Sequence, residues 1–385
     1  MKHVFIIGSK GIPAKYGGFE TFVDNLVKDK ENSEIKYHVT CLSSEESVFE
    51  YRNAECINIK VPEIGASKAV LYDLKAFERC LKIIKERRIE KPIIYVLACR
   101  IGPFIKGKVR RLHSLGGTYF LNPDGHEWLR AKWNWAIKKY WKYSESGMVK
   151  HADFVICDSV SIEEYIQKEY AKYHPKTTFI AYGATIPGEK KTKLSEEAEL
   201  FFANHKMKPD SYYLIVGRFV PENNYETMIK EFMKSATEKQ LVIVTNTEEG
   251  HLYHKLLEET SFSEDKRINF VGTVYNQDLL TEIRQNAYAY LHGHEVGGTN
   301  PSLLEALATT DLNLLYDVGF NREVGQDAAL YWNKKDCNLS ELIKKADGTP
   351  LEKRVELGEK AKERIQTAYS WKYICKCYRE VFMKF

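Results

Sequence analysis

This chain of 385 residues lacks several features that would fix a function class at once. No run approaches the ~18 consecutive apolar residues that a membrane-spanning helix requires, so no span is expected. Neither half contains G-x-G-x-x-G. The tight dinucleotide turn is therefore missing, and a nicotinamide oxidoreductase is disfavoured. The eight cysteines are scattered, with no C-x-x-C pair, and read as buried reduced thiols. The net charge of +4 is too small to argue for nucleic acid. The start of the chain lacks the apolar core and cleavage site of a signal peptide, and the expected location is the cytoplasm. No internal repeat or low-complexity tract is present.

A composition of 44% hydrophobic and 29% charged residues is that of an ordinary folded protein. Short apolar strands alternate with helical runs: MKHVFIIG, IKYHVTCLS, CINIKVP, PIIYVLAC, TYFLNP, ADFVICDS and TTFIAYGA are strands, and Phe19–Lys30, Lys68–Arg88, Glu127–Tyr143 and Ser159–Tyr170 are helices. The alternation predicts an α/β fold, a parallel sheet covered by helices on both faces. The polar stretch PGEKKTKLSEEAE reads as a connector, after which the pattern restarts with YYLIVG, QLVIVTN, INFVG, AYAYLHG and LNLLYDV. The expected organisation is one Rossmann-like domain over 1–186, a linker over 187–205, a second such domain over 206–350, and C-terminal helices over 351–385 that pack back on the first domain. The carboxyl ends of two such sheets would face a shared cleft.

Three patterns in the second half carry chemistry. In VGRFVPENN a strand ends at Gly217, and Arg218 follows at its tip, where a guanidinium can clamp phosphate. In HGHEVGGTNPSLLEALA a strand ends near His292, a loop follows, and a helix starts at Pro301-Ser302. The N–H groups of Gly298, Thr299 and Asn300 together with the helix dipole make an anion site. Glu305, one turn further in, can accept hydrogen bonds from a ribose diol. The third pattern, LNLLYDVGFNREVG, ends a strand in a glycine-containing loop beside the same site.

Together these patterns resemble the retaining glycosyltransferases of family four, which have the GT-B fold. The markers of that family are a G-R ahead of P-E-K, an E-x7-E whose second Glu heads L-E-A, and a glycine loop of the form P-x-x-Y-G-G-x-E. Here the loop is Pro13, Tyr16, Gly17, Gly18 and Glu20. By resemblance, Gly17 and Gly18 bring backbone close to the donor diphosphate and sugar, an approach that a Cβ would crowd. SKGIPAKYGGFETFVDNL, NPDGHEWLRAKW, VGRFVPENNYETMI and GGTNPSLLEA are similar to bacterial rhamnosyltransferases of capsular and cell-wall polysaccharide assembly, including a type that forms β-1,4 links to glucose. That resemblance implies dTDP-L-rhamnose as nucleotide-sugar donor, a lipid-linked oligosaccharide acceptor and a retaining mechanism. Two positions depart from the pattern: Asn223 stands where the family has Lys, and Gly297 where it has the first Glu, with His294 and Glu295 as candidate replacements. Asp-x-Asp is absent, so the metal–diphosphate clamp of the other large glycosyltransferase fold is missing. The expectation is no metal and no cofactor.

Asp124 and His126, in NPDGHE after a first-half strand, are the groups expected to contact sugar or acceptor. Residues 104–111 read FIKGKVRR, and residues 128–143 read WLRAKWNWAIKKYWKY. Aromatic and basic residues on one helix suit a membrane–water interface. Trp133, Trp135, Lys138 and Lys139 are the expected contacts, on the inner face of the plasma membrane. A core helix with a solvated lysine face fits the same residues. Other readings also remain open for the whole chain: a transferase using a UDP- or GDP-hexose, a sugar-nucleotide epimerase, and a non-catalytic binding protein on the same scaffold.

Overall fold

The computed structural model describes residues 1–14, 17–29, 31, 34–130, 132–190, 192–246 and 250–385, without the side chains of residues 66 and 251. The chain divides into two compact units, Met1–Gly183 with Trp371–Phe385, and Ala184–Ser370.

The first unit is built on eight strands: β1 (Lys2–Ile7), β2 (Ile35–Ser43), β3 (Val48–Tyr51), β4 (Ala54–Lys60), β5 (Ile93–Leu97), β6 (Thr118–Asn122), β7 (Phe154–Cys157) and β8 (Thr177–Phe179). Their order is β3-β4-β2-β1-β5-β6-β7-β8. All pairs are parallel except β3–β4 at the edge. Central strands of such a sheet are buried on both faces, which is why VFII, IIYVL and YFL are continuously apolar. On one face Phe5, Ile94, Val96, Tyr119 and Leu121 pack with Phe77 and Ile84 of the helix Lys68–Arg87 and with Ile105 and Leu112 of the helix Gly102–Ser114. On the other, Tyr37, Tyr95 and Phe120 meet Tyr378 and Phe382 of the helix Trp371–Met383, with ring centroids 5.8–6.5 Å apart. Tyr378 also packs on Phe22 of the helix Gly18–Val27 at 5.0 Å.

The second unit carries β9 (Tyr212–Val216), β10 (Gln240–Val244), β11 (Ile268–Gly272), β12 (Ala289–His292), β13 (Asn313–Tyr316) and β14 (Leu330–Trp332). They form one parallel sheet in the order β11-β10-β9-β12-β13-β14. The reversal of strand order between β9 and β12 opens a crevice at their carboxyl ends, the usual ligand position of such sheets. The helix Leu351–Ala368 stays with this unit. Its Gly358 lies so close to Asp311 that a Cβ would come 2.2 Å from Oδ1.

Several elements differ from expectation for local reasons. The expected linker over 187–205 contains the helix Glu196–Asn204, capped by Ser195. The helical run over 351–385 breaks at Tyr369-Ser370, so only its last helix belongs to the first unit. The helix expected over Glu127–Tyr143 begins instead at Trp135 and runs to His151, because the Asn134 side chain accepts the Ile137 N–H. Glu127–Leu129 is a separate single turn. Edge strand β3 and the helix Gly102–Ser114 were not anticipated: the first is short and exposed, and glycines at 102 and 107 obscure the periodicity of the second.

Because the helix Trp371–Met383 closes one sheet face with buried aromatics, Phe382→Ala should destabilise the first unit by about 3–5 kcal/mol. Urea unfolding monitored by amide exchange at Tyr95 and Phe120 should show the loss there and leave β9–β13 amides unchanged.

Candidate functional site

The glycine loop after β1 is shaped by the chain itself. Gly8 has φ +105°, and a Cβ there would sit 2.2 Å from the Leu97 carbonyl oxygen. Arg100 Nη1 donates to the Gly8 carbonyl at 2.9 Å and to Asp73 Oδ2 at 3.1 Å. Asp73 is fully buried, so this pair locks the loop to the helix Lys68–Arg87. Sequence reasoning missed the pair, since nothing in the spacing of residues 73 and 100 connects them. Gly17, at φ +119°, would place a Cβ 1.9 Å from Glu20 Oε2, and Glu20 in turn accepts the Lys10 N–H at 2.6 Å. Glycine at 17 is thus required whether or not a ligand approaches. Gly18 is different: nothing lies within 4 Å of its would-be Cβ. Tyr16 lies outside the described residues.

Asp124 and His126 follow β6, both in the left-handed region, at φ +61° and +45°. Such conformations at non-glycine residues cost of order 1 kcal/mol each and concentrate where side chains are aimed for a purpose. The Asn122 side chain accepts the Asp124 N–H at 2.8 Å, and Asp124 Oδ1 accepts the Gly125 N–H at 2.9 Å. Burial pushes the Asp124 carboxyl up from its ordinary pKa, against the pull of Arg130. The His126 ring lies 4.3 Å from that of Tyr165. Burial, and then the charge of Lys142, lower its pKa, so the imidazole is neutral at pH 7. Lys142 is held in aromatic surroundings, 4.7 Å above the Trp128 ring and 4.8 Å above Tyr165.

In the second unit Arg218 follows β9, exposed, with no ion pair among the described residues. The Asn223 side chain is engaged within the protein. Its Nδ2 donates to the Arg218 carbonyl at 2.7 Å, which turns Oδ1 toward His294 Nδ1 at 2.9 Å. With Oδ1 turned to it, Nδ1 of His294 is the donor of that bond. Gly297 has φ +137°, and its would-be Cβ lies 3.1 Å from His294 Nε2. A glutamate there would be strained, so the departure at 297 is a backbone requirement of this loop. Glu295 is engaged by Asn224 Nδ2 at 3.1 Å and by Lys334 Nζ at 2.5 Å. Lys334 follows β14 and went unnoticed in sequence; its only signal is its place after a strand of the same sheet.

The helix Pro301–Thr309 spends its own first-turn donors internally. Pro301 has none, Asn300 Oδ1 accepts the Ser302 N–H at 2.9 Å, and the Asn300 carbonyl accepts the Leu303 N–H at 3.0 Å. In the preceding loop, the N–H groups of Gly298 and Asn300 enter no backbone–backbone hydrogen bond among the described residues. Thr299 and Gly298 are buried. Glu305 pairs through Oε2 with the buried Arg284 at 2.6 Å, a partner not anticipated. His292, at the end of β12, is buried with its Nε2 lacking a hydrogen-bond partner among the described residues.

The four aromatic-basic residues separate. Trp135 is 71% exposed, with Lys139 Nζ 4.8 Å above its ring. Trp133 instead donates through Nε1 to Glu127 at 2.9 Å and packs on Trp141, and Lys138 is half-buried and directed toward the Leu129 carbonyl. No helix among the described residues is long and apolar enough to cross a membrane.

Burial lowers the His292 pKa from 6.5 to about 3. The unfolded chain therefore binds this proton first, and stability must fall as pH drops from about 6.5 toward 3. At pH 4 the loss from this group is about 3 kcal/mol relative to pH 7. Urea midpoints measured across that range should show a shallower acid slope for His292→Phe than for the parent protein.

Comparison with known proteins bears on both units. Residues 1–185 match a model described as "Domain of unknown function (DUF1972)". Residues 196–364 match the model "Glycosyl transferases group 1". No curated protein matches. Among solved structures, the sucrose-phosphate synthase of Thermosynechococcus elongatus is similar over 100% of both chains, with TM-score 0.77 at 17% identity. A structure from E. coli described as trehalose-6-phosphate bound with UDP-2-fluoro glucose is similar over 100% of this chain and 99% of that one, with TM-score 0.73 at 12% identity. The N-terminal domain of trehalose-6-phosphate phosphatase from Candida albicans is similar over 99% of this chain and 96% of that one, again with TM-score 0.73 and 12% identity. The chain therefore has the GT-B fold, and its residues 196–364 are similar to the glycosyl transferases group 1 model.

Proposed function

We infer that this chain is a retaining glycosyltransferase that moves L-rhamnose from dTDP-L-rhamnose to a lipid-linked sugar acceptor in capsular or cell-wall polysaccharide synthesis. The observation that carries the transferase reading is the group 1 domain at 196–364, whose β12–helix loop holds buried amides ahead of Glu305. The rhamnose branch rests on the sequence resemblance of the glycine loop, NPDGHE and GGTNPSLLEA. The first unit takes the acceptor and the second the donor, at the cytoplasmic face of the plasma membrane where a lipid-linked acceptor lies.

Transfer breaks the bond from the anomeric carbon to the diphosphate and forms one to the acceptor hydroxyl. Arg218 and the amides of Gly298, Thr299 and Asn300 stabilise the leaving diphosphate with fixed charge and dipoles, which need no reorganisation as charge develops. Glu305, steadied by Arg284, accepts a hydrogen bond from the 3′-hydroxyl of the nucleotide's deoxyribose through its remaining oxygen. Gly18 lets the donor approach backbone. His294 and Glu295 orient the sugar; Asn223 and Gly297 contribute by shaping the loop. In front-side attack the departing phosphate oxygen takes the acceptor proton, so no strong base is required. Asp124 and neutral His126 then serve to position the acceptor hydroxyl. Diphosphate neutralisation by Arg218 and amides needs no metal.

A second reading keeps the site and changes the donor. The E. coli structure named above is bound with UDP-2-fluoro glucose, which favours a UDP-hexose in a fold of this kind.

The test is thermal stabilisation by dTDP, UDP, GDP and NAD at matched concentration. A ligand at about 100 times its Kd adds about 2.7 kcal/mol to the folded state. A shift with dTDP above the rest supports the rhamnose donor; a shift with UDP or GDP alone moves the reading to another nucleotide sugar; no shift with any of them removes the donor site. Arg218→Ala and Glu305→Ala should each lower kcat/KM for transfer by about 100-fold, the size of losing one charge-directed contact. EDTA should leave the rate unchanged. Full transfer by either variant would sink the site assignment.

A further inference from the structure

Arg284 is a charge almost wholly removed from water. It stands one residue from the end of the helix Gln277–Gln285 and is 2% exposed. A guanidinium keeps its charge when buried, so it must be met by an anion. The anion is Glu305 of the helix Pro301–Thr309, whose Oε2 accepts from Nη2 at 2.6 Å. The same Nη2 lies 3.4 Å from Ser302 Oγ. Ser302 Oγ donates to the Val216 carbonyl at 3.1 Å, and the Tyr290 hydroxyl donates to that carbonyl at 3.0 Å. The Thr310 hydroxyl donates to the Arg284 carbonyl at 3.0 Å. Arg284, the start of the helix Pro301–Thr309 and the end of β9 are thus joined in one hydrogen-bonded network, and Glu305 is held with them.

That network treats the two oxygens of Glu305 differently. Oε2 is taken by the buried guanidinium, while Oε1 enters no hydrogen bond among the described residues. The Glu305 side chain retains 35% exposure, so a ligand can reach it. A carboxylate with both oxygens available accepts both hydroxyls of a ribose diol. Here one oxygen is already committed. A 3′-hydroxyl can donate to Oε1. A 2′-hydroxyl beside it gives up water and meets an oxygen engaged by Arg284. A polar group stripped of water and left without a partner is unfavourable, and a sugar lacking that group avoids the loss.

We propose that Arg284 is the positioning residue that makes this site select 2′-deoxyribonucleoside diphosphates over ribonucleoside diphosphates. It does so by engaging the Glu305 oxygen that would otherwise take a 2′-hydroxyl. The inference rests on the donor-site reading of Glu305 given above and adds the residue that sets the class of nucleotide. It concerns the pentose alone; neither the base nor the sugar carried on the diphosphate enters the argument.

The experiment is calorimetric titration of the full chain with three pairs of nucleoside diphosphates that differ only at the 2′ position: dUDP with UDP, dTDP with its ribo counterpart, and dGDP with GDP. In each pair that binds, the deoxy member should bind roughly tenfold or more tightly. Arg284→Met removes the charge at similar length and frees Oε2. Glu305, being partly exposed, tolerates the loss of its partner better than a buried carboxylate would. This variant should abolish the preference, chiefly by tightening the ribonucleotide. Arg284→Lys, which keeps a cation beside Oε2, should retain part of it. A ratio within one pair cancels any general weakening of the site, so a merely structural role for Arg284 would not move it. Melting curves establish that the variants are folded. Equal affinity within the pairs for the parent protein overturns the proposal without any variant. A preference that persists undiminished in folded Arg284→Met overturns the role of Arg284. Binding without a 2′ preference leaves the transferase reading standing, whereas no binding by any of these nucleotides removes the donor site and this inference with it. Which base binds best bears on the rhamnose donor and not on this result.

Discussion

The first unit depends on an aromatic seal supplied from the far end of the chain. A parallel sheet must bury both faces, and the face bearing Tyr37, Tyr95 and Phe120 is closed by Tyr378 and Phe382. The Tyr95 and Tyr378 hydroxyls meet at 3.2 Å within that seal, so the buried phenols find partners in each other. The helix Gly18–Val27, which follows directly on the glycine loop, rests on the same aromatics through Phe22. The position of Gly17 and Gly18 is thus set partly by residues beyond 370. The seal cannot form until the whole second unit has been made, because Ala184–Ser370 lies between the two segments in sequence.

Around the loops, backbone geometry and fixed charges do the organising. Gly8, Gly17 and Gly297 all sit at positive φ, each with an atom of the protein where a side chain would begin. Their neighbours are a carbonyl, a carboxylate and an imidazole, polar groups that are then held in place by the close approach. Within the first unit Arg100, and within the second Asn223, Asn224, Arg284 and Lys334, fix carbonyl and carboxylate oxygens. Loops held in this way keep their dipoles in fixed directions.

Charge is also segregated within the first unit. Lys142 and Glu145 face inward and satisfy each other and the surrounding tyrosines, whereas the outward cations of the same helix have no carboxylate beside them on it. A single amphipathic sequence stretch therefore serves two environments. The division follows helical phase, not composition.

Much of the fold was legible in the sequence. Period-two and continuous apolar runs identified the central strands, since buried parallel strands leave no polar face to confuse the pattern. Gly217-Arg218, the GGTN loop and Glu305 were legible because strand ends and helix starts have local signals. The exposed strand Val48–Tyr51, the glycine-interrupted helix Gly102–Ser114 and the true start of the helix at Trp135 were not, because their signals are weak or lie in a single cap residue. The sequence by itself determined the two α/β halves, the candidate residues and the abundance of aromatic and basic groups. Only the tertiary structure decided that the Asn223 side chain meets the Arg218 carbonyl and His294, that Gly297 sits at positive φ beside His294, that Arg284 and Lys334 hold the two glutamates, and that Trp135 is exposed while Trp133 is half-buried and donates to Glu127. Those outcomes depend on contacts between residues far apart in the chain, and local periodicity carries no information about which distant groups a fold brings together.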